Sequence, residues 1–368
     1  MNKVKIFYDN QAMYLQKYGG ISRYYYELVT GIERLELGKT IVRNIFNRNA
    51  YFADYFNKPI YESSSNLSKL LPYLNGAYNF MQIQKADIVH PTYYGNEILR
   101  YRELSKAKWV VTVHDMIHEK YLDSYFIKDN TIELKKNMIY AADHIIAISE
   151  NTKRDILHFY PNVKAENITV IYHGFPSLRN VNICENKPEI LPEKYVLFVG
   201  NRDRYKNFKK FVEGMIPILE KDSNLYVVCI GGKQFKEDEV KSFRNFQNRF
   251  IQMNASDDFL ACAYKNALCF VFPSLYEGFG MPTLEAFSYG CPAIISNNSS
   301  MPEVGGKAAI YIDPHNPDDI RKKVTEVIYN KEMRRSMTKA GYKRLSSFSW
   351  DKTVIETVNC YNKVLRNN

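Results

Sequence analysis

The length, composition and charge of the chain exclude several classes of protein. A chain of 368 residues is too long for one ordinary hydrophobic core, and 45% apolar with 24% charged residues is typical of a folded globular protein. The formal net charge of +10 suits a protein that handles phosphates or touches an anionic membrane surface, and nothing in its distribution indicates a nucleic-acid-binding arm.

The start of the chain and its cysteines bear on the compartment. No apolar run approaches the ~18 residues that span a bilayer, and the chain begins with a strand-like segment instead of a signal peptide. We therefore expect a cytoplasmic protein. The six cysteines never form C-x-x-C and stand mostly among apolar residues, which predicts reduced core cysteines and neither a disulfide framework nor a zinc site.

The first half of the chain alternates short strand-like runs with helical stretches, the pattern of a parallel sheet covered by helices. Residues 4–8 predict the first strand, and a polar loop then leads to a helix over residues 21–35. Further strands are predicted over residues 88–90, 109–113, 144–148 and 168–172. Together they indicate an α/β domain over residues 1–178.

A second domain is predicted after a linker. Prolines and asparagines interrupt the pattern between residues 176 and 192. The alternation then restarts with a strand over 195–200 and a helix over 208–220, and later strands are predicted over 225–230, 269–272, 293–296 and 309–312. This second α/β domain spans residues 192–349. Residues 350–365 have helical spacing, and no strand follows them.

A Gly-rich turn between a predicted strand and a predicted helix carries the strongest chemical signal. Two carboxylates flank it, in the run Glu277, Gly278, Phe279, Gly280, Met281 and, within the helix, Glu285. Glycines let a backbone approach a ligand closely, and the amides at a helix start attract phosphate. Carboxylates can accept hydrogen bonds from sugar and ribose hydroxyls. The alternative is a plain turn, with Glu285 complementing the helix dipole.

This segment matches the E-x7-E signature of the retaining glycosyltransferases of family 4, and the resemblance extends over nearly the whole chain. It implies the GT-B fold, which is two Rossmann-like α/β domains facing each other across a cleft. A C-terminal helix, about residues 350–368, would cross back and complete the first domain. The resemblance implies acceptor binding by the first domain and nucleotide-sugar binding by the second. Glu277 would hold sugar hydroxyls and Glu285 the ribose.

The first domain carries two further features of the resemblance. Gly19 and Gly20 match a Gly-Gly loop that approaches the donor diphosphate. His114, at the end of a predicted strand, matches a histidine that the family places beside the transferred sugar. The ends of strands in a doubly wound sheet are where ligands bind. An ordinary turn and a structural histidine are the alternatives.

The loop after the strand over 195–200 is similar to the family's basic clamp for the donor phosphates. Lys206 aligns with this clamp, and Arg202 is favoured over Arg204 as its partner. Arg offers a forked pair of donors and Lys a compact charge, so together they can neutralise a departing diphosphate. A solvated basic loop is the alternative. Gly231 and Gly232 either close over the nucleotide base or form a plain turn.

The implied activity is retaining transfer from a GDP-, UDP- or dTDP-sugar to a saccharide or lipid-linked saccharide, in bacterial surface polysaccharide or lipopolysaccharide biosynthesis. No D-x-D occurs, so we expect neither a metal nor another cofactor, and cations and helix ends must meet the leaving-group charge. The basic charge allows peripheral contact at the inner face of an anionic membrane, and no nucleic-acid partner is expected. A GT-B-fold sugar-nucleotide epimerase and a non-catalytic saccharide-binding protein remain alternatives.

Overall fold

The computed structural model describes residues 3–15, 17–42, 48–56, 79–121, 130–175, 187–202 and 204–366. The chain divides into two compact units. The first unit comprises Met1–Gly174 and Ser349–Asn368, and the second comprises Phe175–Phe348. Most of the predicted linker, residues 176–186, lies outside the described residues.

The first unit is a six-stranded parallel sheet in the order β2-β1-β3-β4-β5-β6. Its strands are β1 (Lys5–Tyr8), β2 (Lys39–Val42), β3 (Ile88–His90), β4 (Lys108–Val113), β5 (His144–Ala147) and β6 (Ile168–Val170). Its helices before the second unit are α1 (Gln11–Leu15), α2 (Gly20–Arg34), α3 (Ala50–Phe56), α4 (Asn96–Leu99), α5 (Ile117–Lys120), α6 (Thr131–Ala141) and α7 (Glu150–Phe159), with a 3-10 turn at Ala165–Asn167. The edge strand β2 was not predicted, because it begins with Lys39 and Thr40 and only its last residue is buried, so no apolar run marks it.

The second unit is also a six-stranded parallel sheet, in the order β12-β11-β10-β7-β8-β9. Its strands are β7 (Lys194–Val199), β8 (Leu225–Ile230), β9 (Phe250–Met253), β10 (Cys269–Phe272), β11 (Ala293–Ser296) and β12 (Ile310–Ile312). Its helices are α8 (Phe208–Lys221), α9 (Glu237–Ser242), α10 (Asp257–Asn266), α11 (Met281–Ser288), α12 (Met301–Gly305), α13 (Pro317–Tyr329) and α14 (Lys331–Leu345), with 3-10 turns at Arg204–Lys206 and Arg244–Arg249. The strand β9 was not predicted.

The last helix, α15 (Trp350–Arg366), belongs to the first unit. It packs against α2, where Gly31 comes so close that a Cβ there would lie 2.6 Å from Val354 Cγ2. Gly174, at the point where the chain leaves the first unit, passes against the backbone of Trp350, and a Cβ would overlap it. The predicted fold class, two α/β domains with the C-terminal helix returning to the first, is confirmed.

The structure gives the state of five of the six cysteines. Cys229, Cys269, Cys291 and Cys360 are free and buried, as predicted. Cys262 is disulfide-bonded, so the predicted reduced state is wrong for this residue.

Over the part of the chain that the structure describes, no helix has both the length and the apolar character needed to cross a membrane.

Candidate functional site

The candidate site of the second unit lies where its strand order reverses. The chain builds β8 and β9 on one side of β7 and then returns to add β10, β11 and β12 on the other. The loops that follow β7 and β10 therefore leave the same sheet edge toward opposite sides, which opens a crevice at the carboxyl ends of these two strands. The predicted basic loop follows β7, and the predicted Gly-rich turn follows β10.

Lys206 and Glu277 form an ion pair that joins the loop after β7 to the turn after β10. Lys206 Nζ donates to Glu277 Oε1 at 2.6 Å, and the two side chains are 15% and 13% exposed. The ammonium also lies 5.1 Å from the ring centroids of Tyr205 and Phe272, which screen it from solvent. The predicted phosphate ligand and the first carboxylate of the E-x7-E signature thus meet across the two central strands.

The backbone of the Gly-rich turn, residues 277–280, leads directly into α11. Gly280 has φ +99°, which side chains with a Cβ rarely adopt, and a Cβ there would overlap the Met301 side chain. Phe279 is buried, and Gly278 and Met281 are partly buried. The turn brings the start of α11 to the crevice, where the positive end of the helix dipole attracts an anion.

Two serines that the sequence reasoning left without a role hold this turn. Ser299 Oγ accepts from the Glu277 N–H at 3.1 Å, and Ser300 Oγ lies 2.8 Å from the Glu277 carbonyl and 3.0 Å from the Phe279 carbonyl. Ser300 is fully buried, and Ser299 has φ +51°, which is unusual for a residue other than glycine. The sequence signal was their place shortly after β11, in a stretch that resembles the family's pattern near the E-x7-E helix.

Glu285 lies in the middle of α11, and its carboxylate is oriented by a buried tyrosine. The Tyr264 hydroxyl donates to Glu285 Oε2 at 3.1 Å. Burial, together with the neighbouring Glu285 carboxylate, raises the pKa of Tyr264 well above its usual value, so the phenol keeps its proton and remains a donor. Tyr264 was not predicted as part of the site.

Arg202 uses its guanidinium differently from the prediction. Its Nε donates to Glu239 at 2.9 Å, and its other nitrogens donate to three carbonyls of the loop after β8. Its side chain is only 5% exposed. The loop carbonyls and Glu239 therefore occupy donors that were expected to face a diphosphate. The side chain of Arg204, the alternative, lies outside what the structure describes.

In the first unit, Gly19 and Gly20 stand at the start of α2, so the predicted Gly-Gly loop leads directly into this helix. Gly19 precedes the helix with extended backbone, and its carbonyl accepts from the Arg23 N–H at 3.0 Å. A Cβ on Gly20 would meet no atom within 4 Å. Space is therefore open beside the first turn of this helix.

His114 directly follows β4, in a pocket of aromatic rings. Tyr24 meets its ring edge-on at 5.2 Å, and the His173 ring lies 5.7 Å away. Burial, with smaller contributions from His90 and Lys135, lowers the pKa of His114 to about 3, so the imidazole is neutral at physiological pH. Its Nε2 is buried without a hydrogen-bond partner in the described part of the chain. A neutral ring with one unused nitrogen can bond a sugar hydroxyl.

A buried ion pair that the sequence reasoning missed fixes the segment after His114. Lys135 Nζ donates to Glu119 Oε2 and to the Asp115 carbonyl, each at 2.9 Å, and the Lys135 and Glu119 side chains are 1% and 3% exposed. The Tyr160 hydroxyl donates to the other Glu119 oxygen at 2.8 Å. This geometry makes Lys135 a structural residue.

Two stretches of the first unit that are rich in Tyr, Phe and Lys are candidates for acceptor contacts, with ordinary core and surface packing as the alternative for most of their residues. They cover residues 51–104 and 121–136, of which 57–78 and 122–129 lie outside the described residues. Elsewhere, among the described residues, no group of three or more His, Cys, Asp or Glu side chains is arranged to hold a metal ion.

Comparison with known proteins gives the class of this chain. Residues 18–177 match the family model Glycosyltransferase Family 4, and residues 183–344 match Glycosyl transferases group 1. The two parallel sheets, and the Lys206–Glu277 pair at the point where the strand order of the second sheet reverses, agree with a glycosyltransferase of this kind. The chain belongs to the family 4-type glycosyltransferases with the GT-B fold.

Relatives and solved structures extend over most of the chain. O-antigen chain mannosyltransferase B of Escherichia coli is 27% identical, over 93% of this chain and 95% of its own. O-antigen chain mannosyltransferase RfbU of Salmonella typhimurium is 28% identical, over 73% of this chain and 76% of its own. The structure of Anabaena HepE in complex with UDP-glucose has a TM-score of 0.73 at 13% identity, covering 98% of this chain and 100% of that one.

Proposed function

We propose that this chain transfers a hexose from a GDP-, UDP- or dTDP-sugar to a saccharide or lipid-linked saccharide, with retention of configuration and without a metal ion. The observation that carries the proposal is the Lys206–Glu277 pair, 2.6 Å long, at the strand switch of the second unit. It unites a cation for the diphosphate with a carboxylate for sugar hydroxyls. Retention is what the family resemblance implies.

Lys206 and the start of α11 would supply the electrostatic part of catalysis. As the bond between the sugar and the diphosphate breaks, negative charge grows on the leaving group. A fixed ammonium and the amides of a helix start interact more strongly with that charge than with the intact donor, so they lower the barrier. On donor binding, Lys206 would exchange part of its contact with Glu277 for phosphate, which frees a Glu277 oxygen for sugar hydroxyls.

The other predicted residues would orient the donor. Glu285, held by Tyr264, is placed to accept from the ribose hydroxyls, and Gly20 leaves room for the diphosphate beside the first turn of α2. His114 would bond a hydroxyl of the transferred sugar through its unused Nε2. Because its ring is neutral, His114 would act as a hydrogen-bonding group and not as a charged one.

The acceptor and the pathway are proposed from the relatives. Two of them are named O-antigen chain mannosyltransferases, which favours a growing surface polysaccharide or lipopolysaccharide as acceptor and a mannose-type hexose as the transferred sugar. The net charge of +10 would favour contact with an anionic inner membrane face, where lipid-linked acceptors are held.

Two substitutions at the paired residues test the proposal, with a matched control. Lys206→Met should lower kcat by ~100-fold or more, because it removes a charge that acts in the transition state, and Glu277→Gln should lower kcat/KM. Lys210→Met removes a lysine and its Glu213 contact from the exposed side of α8, and should leave both constants nearly unchanged. Thermal unfolding checks that all three variants fold. Wild-type transfer rates in folded Lys206→Met would contradict the proposed site.

Donor and metal are tested on the unaltered protein. A nucleotide-sugar panel read by unfolding should single out one donor, since a ligand at ~100 times its Kd adds ~2.7 kcal/mol of stability. Full transfer in excess EDTA is expected, whereas loss with EDTA and rescue by Mg²⁺ or Mn²⁺ would refute metal independence. Turnover of the donor without any acceptor would point to an epimerase, and absence of nucleotide-sugar binding to a non-catalytic protein.

A further inference from the structure

The side chain of Arg202 is built into the loop that follows β8. Its Nη1 donates to the Gly231 carbonyl at 3.2 Å, and its Nη2 donates to the carbonyls of Gln234, at 3.2 Å, and Lys233. Its guanidinium carbon lies 4.7 Å from the ring centroid of Phe235. Together with the Nε–H, which donates to Glu239, four of the five N–H donors of the guanidinium are engaged with protein groups.

The loop, residues 231–236, is also held by the Gly231 N–H, which donates to the Met253 carbonyl at 3.0 Å, and by the Phe235 ring, whose centroid lies 5.1 Å from that of Phe243. Gly231 and Gly232 have φ +91° and +73°, so the chain turns sharply where β8 ends. Turned backbone of this kind presents several carbonyls to one side, and a single guanidinium fork can bind them together because its donors are planar and fixed. Without that cation, the converging carbonyls repel one another.

Glu239 completes the arrangement. Its Oε1 accepts from Arg202 Nε at 2.9 Å, and its Oε2 accepts from the Lys236 N–H at 2.7 Å, at the start of α9. Its side chain is 11% exposed, so the pair is largely shielded from water. Arg202 thus joins the loop carbonyls to the first turn of the next helix, and its charge is already met by a carboxylate.

We propose that Arg202 is a positioning residue that fixes residues 231–236 as a wall for the nucleoside of the donor, and that it is not a phosphate ligand. The inference rests on the proposed function and deepens it. β8 neighbours β7, so this loop leaves the sheet at the same edge as Lys206, one strand away from the proposed phosphate position. The phosphate charge is then left to Lys206 and the start of α11.

The experiment compares binding of UDP, GDP and dTDP with binding of their monophosphates and nucleosides, for the wild type and four variants. Arg202→Lys should lower the affinity for the nucleoside, the monophosphate and the diphosphate of the preferred base by the same factor, roughly tenfold. The reason is that all three contact residues 231–236, which the substitution would loosen. Lys206→Met should weaken binding of the diphosphate far more than binding of the nucleoside.

Arg249→Lys is the matched control. Arg249 also donates to carbonyls, those of Leu219 and Asp222, and stacks on Phe246. Its substitution should change affinity by less than about twofold, the range expected for a change away from the binding site.

Glu239→Gln separates the two roles of Arg202 by the sign of its effect. If Arg202 held phosphate, removing a nearby negative charge would strengthen diphosphate binding. If Arg202 positions the loop, the same change weakens binding, as Arg202→Lys does. Hydrogen exchange of residues 231–236 without nucleotide should also accelerate in both variants and stay unchanged in Arg249→Lys.

Several results would overturn the inference. One is a loss of nucleotide affinity in Arg202→Lys that grows with the number of phosphates. Another is a gain of diphosphate affinity in Glu239→Gln. The third is hydrogen exchange of residues 231–236 that stays unchanged in both variants. A wild type that binds no nucleotide would refute the proposed function, and loop exchange without ligand would still decide whether Arg202 holds residues 231–236.

Discussion

Two glycines of the predicted donor site meet different physical needs at the scale of single residues. Gly280 has a positive φ, and a Cβ there would overlap Met301. Gly20 has an ordinary φ and open space where a Cβ would be. The backbone therefore requires glycine at position 280, whereas at position 20 the protein could fold equally well with alanine. Open space kept by a glycine at a helix start is the pattern expected where a ligand approaches.

Substitution by alanine should therefore separate stability from binding. Gly280→Ala should cost ~1–3 kcal/mol of unfolding free energy, from backbone strain and overlap. Gly20→Ala should keep or slightly raise stability, by up to ~1 kcal/mol, because alanine loses less freedom in a helix, while it weakens donor binding. Urea unfolding and donor titration measure the two quantities. Unaltered donor affinity in Gly20→Ala would remove Gly20 from the proposed site.

At the scale of elements, the C-terminal helix α15 is tied into the first unit by a buried polar chain. The Tyr361 hydroxyl lies 2.8 Å from the Tyr8 hydroxyl and 2.6 Å from His90 Nδ1, and His90 Nε2 lies 2.9 Å from Thr112 Oγ1. The Tyr24 hydroxyl of α2 reaches the same Thr112 oxygen at 3.2 Å. One network therefore joins α15, α2 and three strands of the sheet, and all of its members are buried.

Tyr361→Phe should destabilise the protein more than Tyr8→Phe, although each removes one hydroxyl. The first leaves His90 Nδ1 and the Tyr8 hydroxyl buried without partners, a cost of ~1–3 kcal/mol. The second leaves the Tyr361–His90 contact intact and should cost ~0.5–1.5 kcal/mol. Urea unfolding followed by tryptophan fluorescence measures both. Equal losses would mean that the network does not depend on Tyr361.

At the scale of the whole molecule, the two units differ in their histidines. Six of the seven histidines belong to the first unit, and the second has only His315, which is exposed. Burial lowers the pKa of four of them below the usual 6.5: the pKa of His90 and His114 to about 3, that of His144 to about 4, and that of His173 well below 6.5. For His144, the nearby Lys363 and Lys153 add to the effect of burial.

These shifts predict that acid destabilises the first unit before the second. A buried neutral imidazole binds a proton less readily than in the unfolded chain, so its contribution to stability is complete above pH 6.5 and is lost as the pH falls toward its folded pKa. Burial raises the pKa of Asp9 and Glu27, which opposes the trend, but four histidines outweigh two carboxyls.

Fluorescence can follow this selectively, because both tryptophans, Trp109 and Trp350, lie in the first unit. The urea midpoint from tryptophan fluorescence should change little from pH 7.5 to about 6.5 and then fall toward pH 5. Hydrogen exchange of the second-unit strands should change less over the same range and serves as the internal control. A fluorescence midpoint that stays constant from pH 7.5 to 5 would contradict the buried, neutral state of these histidines.

Local pattern was sufficient for the two α/β units, and the resemblance to family 4 supplied the returning helix. The alternation of apolar strands with helices and the break between residues 176 and 192 predicted the two units, and the fold has this form. Periodicity and turn residues are properties of neighbouring positions, so they can be read without coordinates. The strands β2 and β9 were missed, because both are edge strands whose half-exposed positions include polar residues and leave no clear apolar run.

What each site residue touches was decided by tertiary structure alone. Lys206 meets Glu277 across 71 positions of sequence, and Arg202 meets loop carbonyls about 30 positions away. Such contacts depend on which strands lie side by side, and strand order is not contained in local spacing. The sequence by itself therefore determined the family, the fold and the residues worth testing. The structure decided that Arg202 holds a loop, that His114 is buried and neutral, and that Ser299 and Ser300 support the Gly-rich turn, because burial and partners arise only once distant segments pack together.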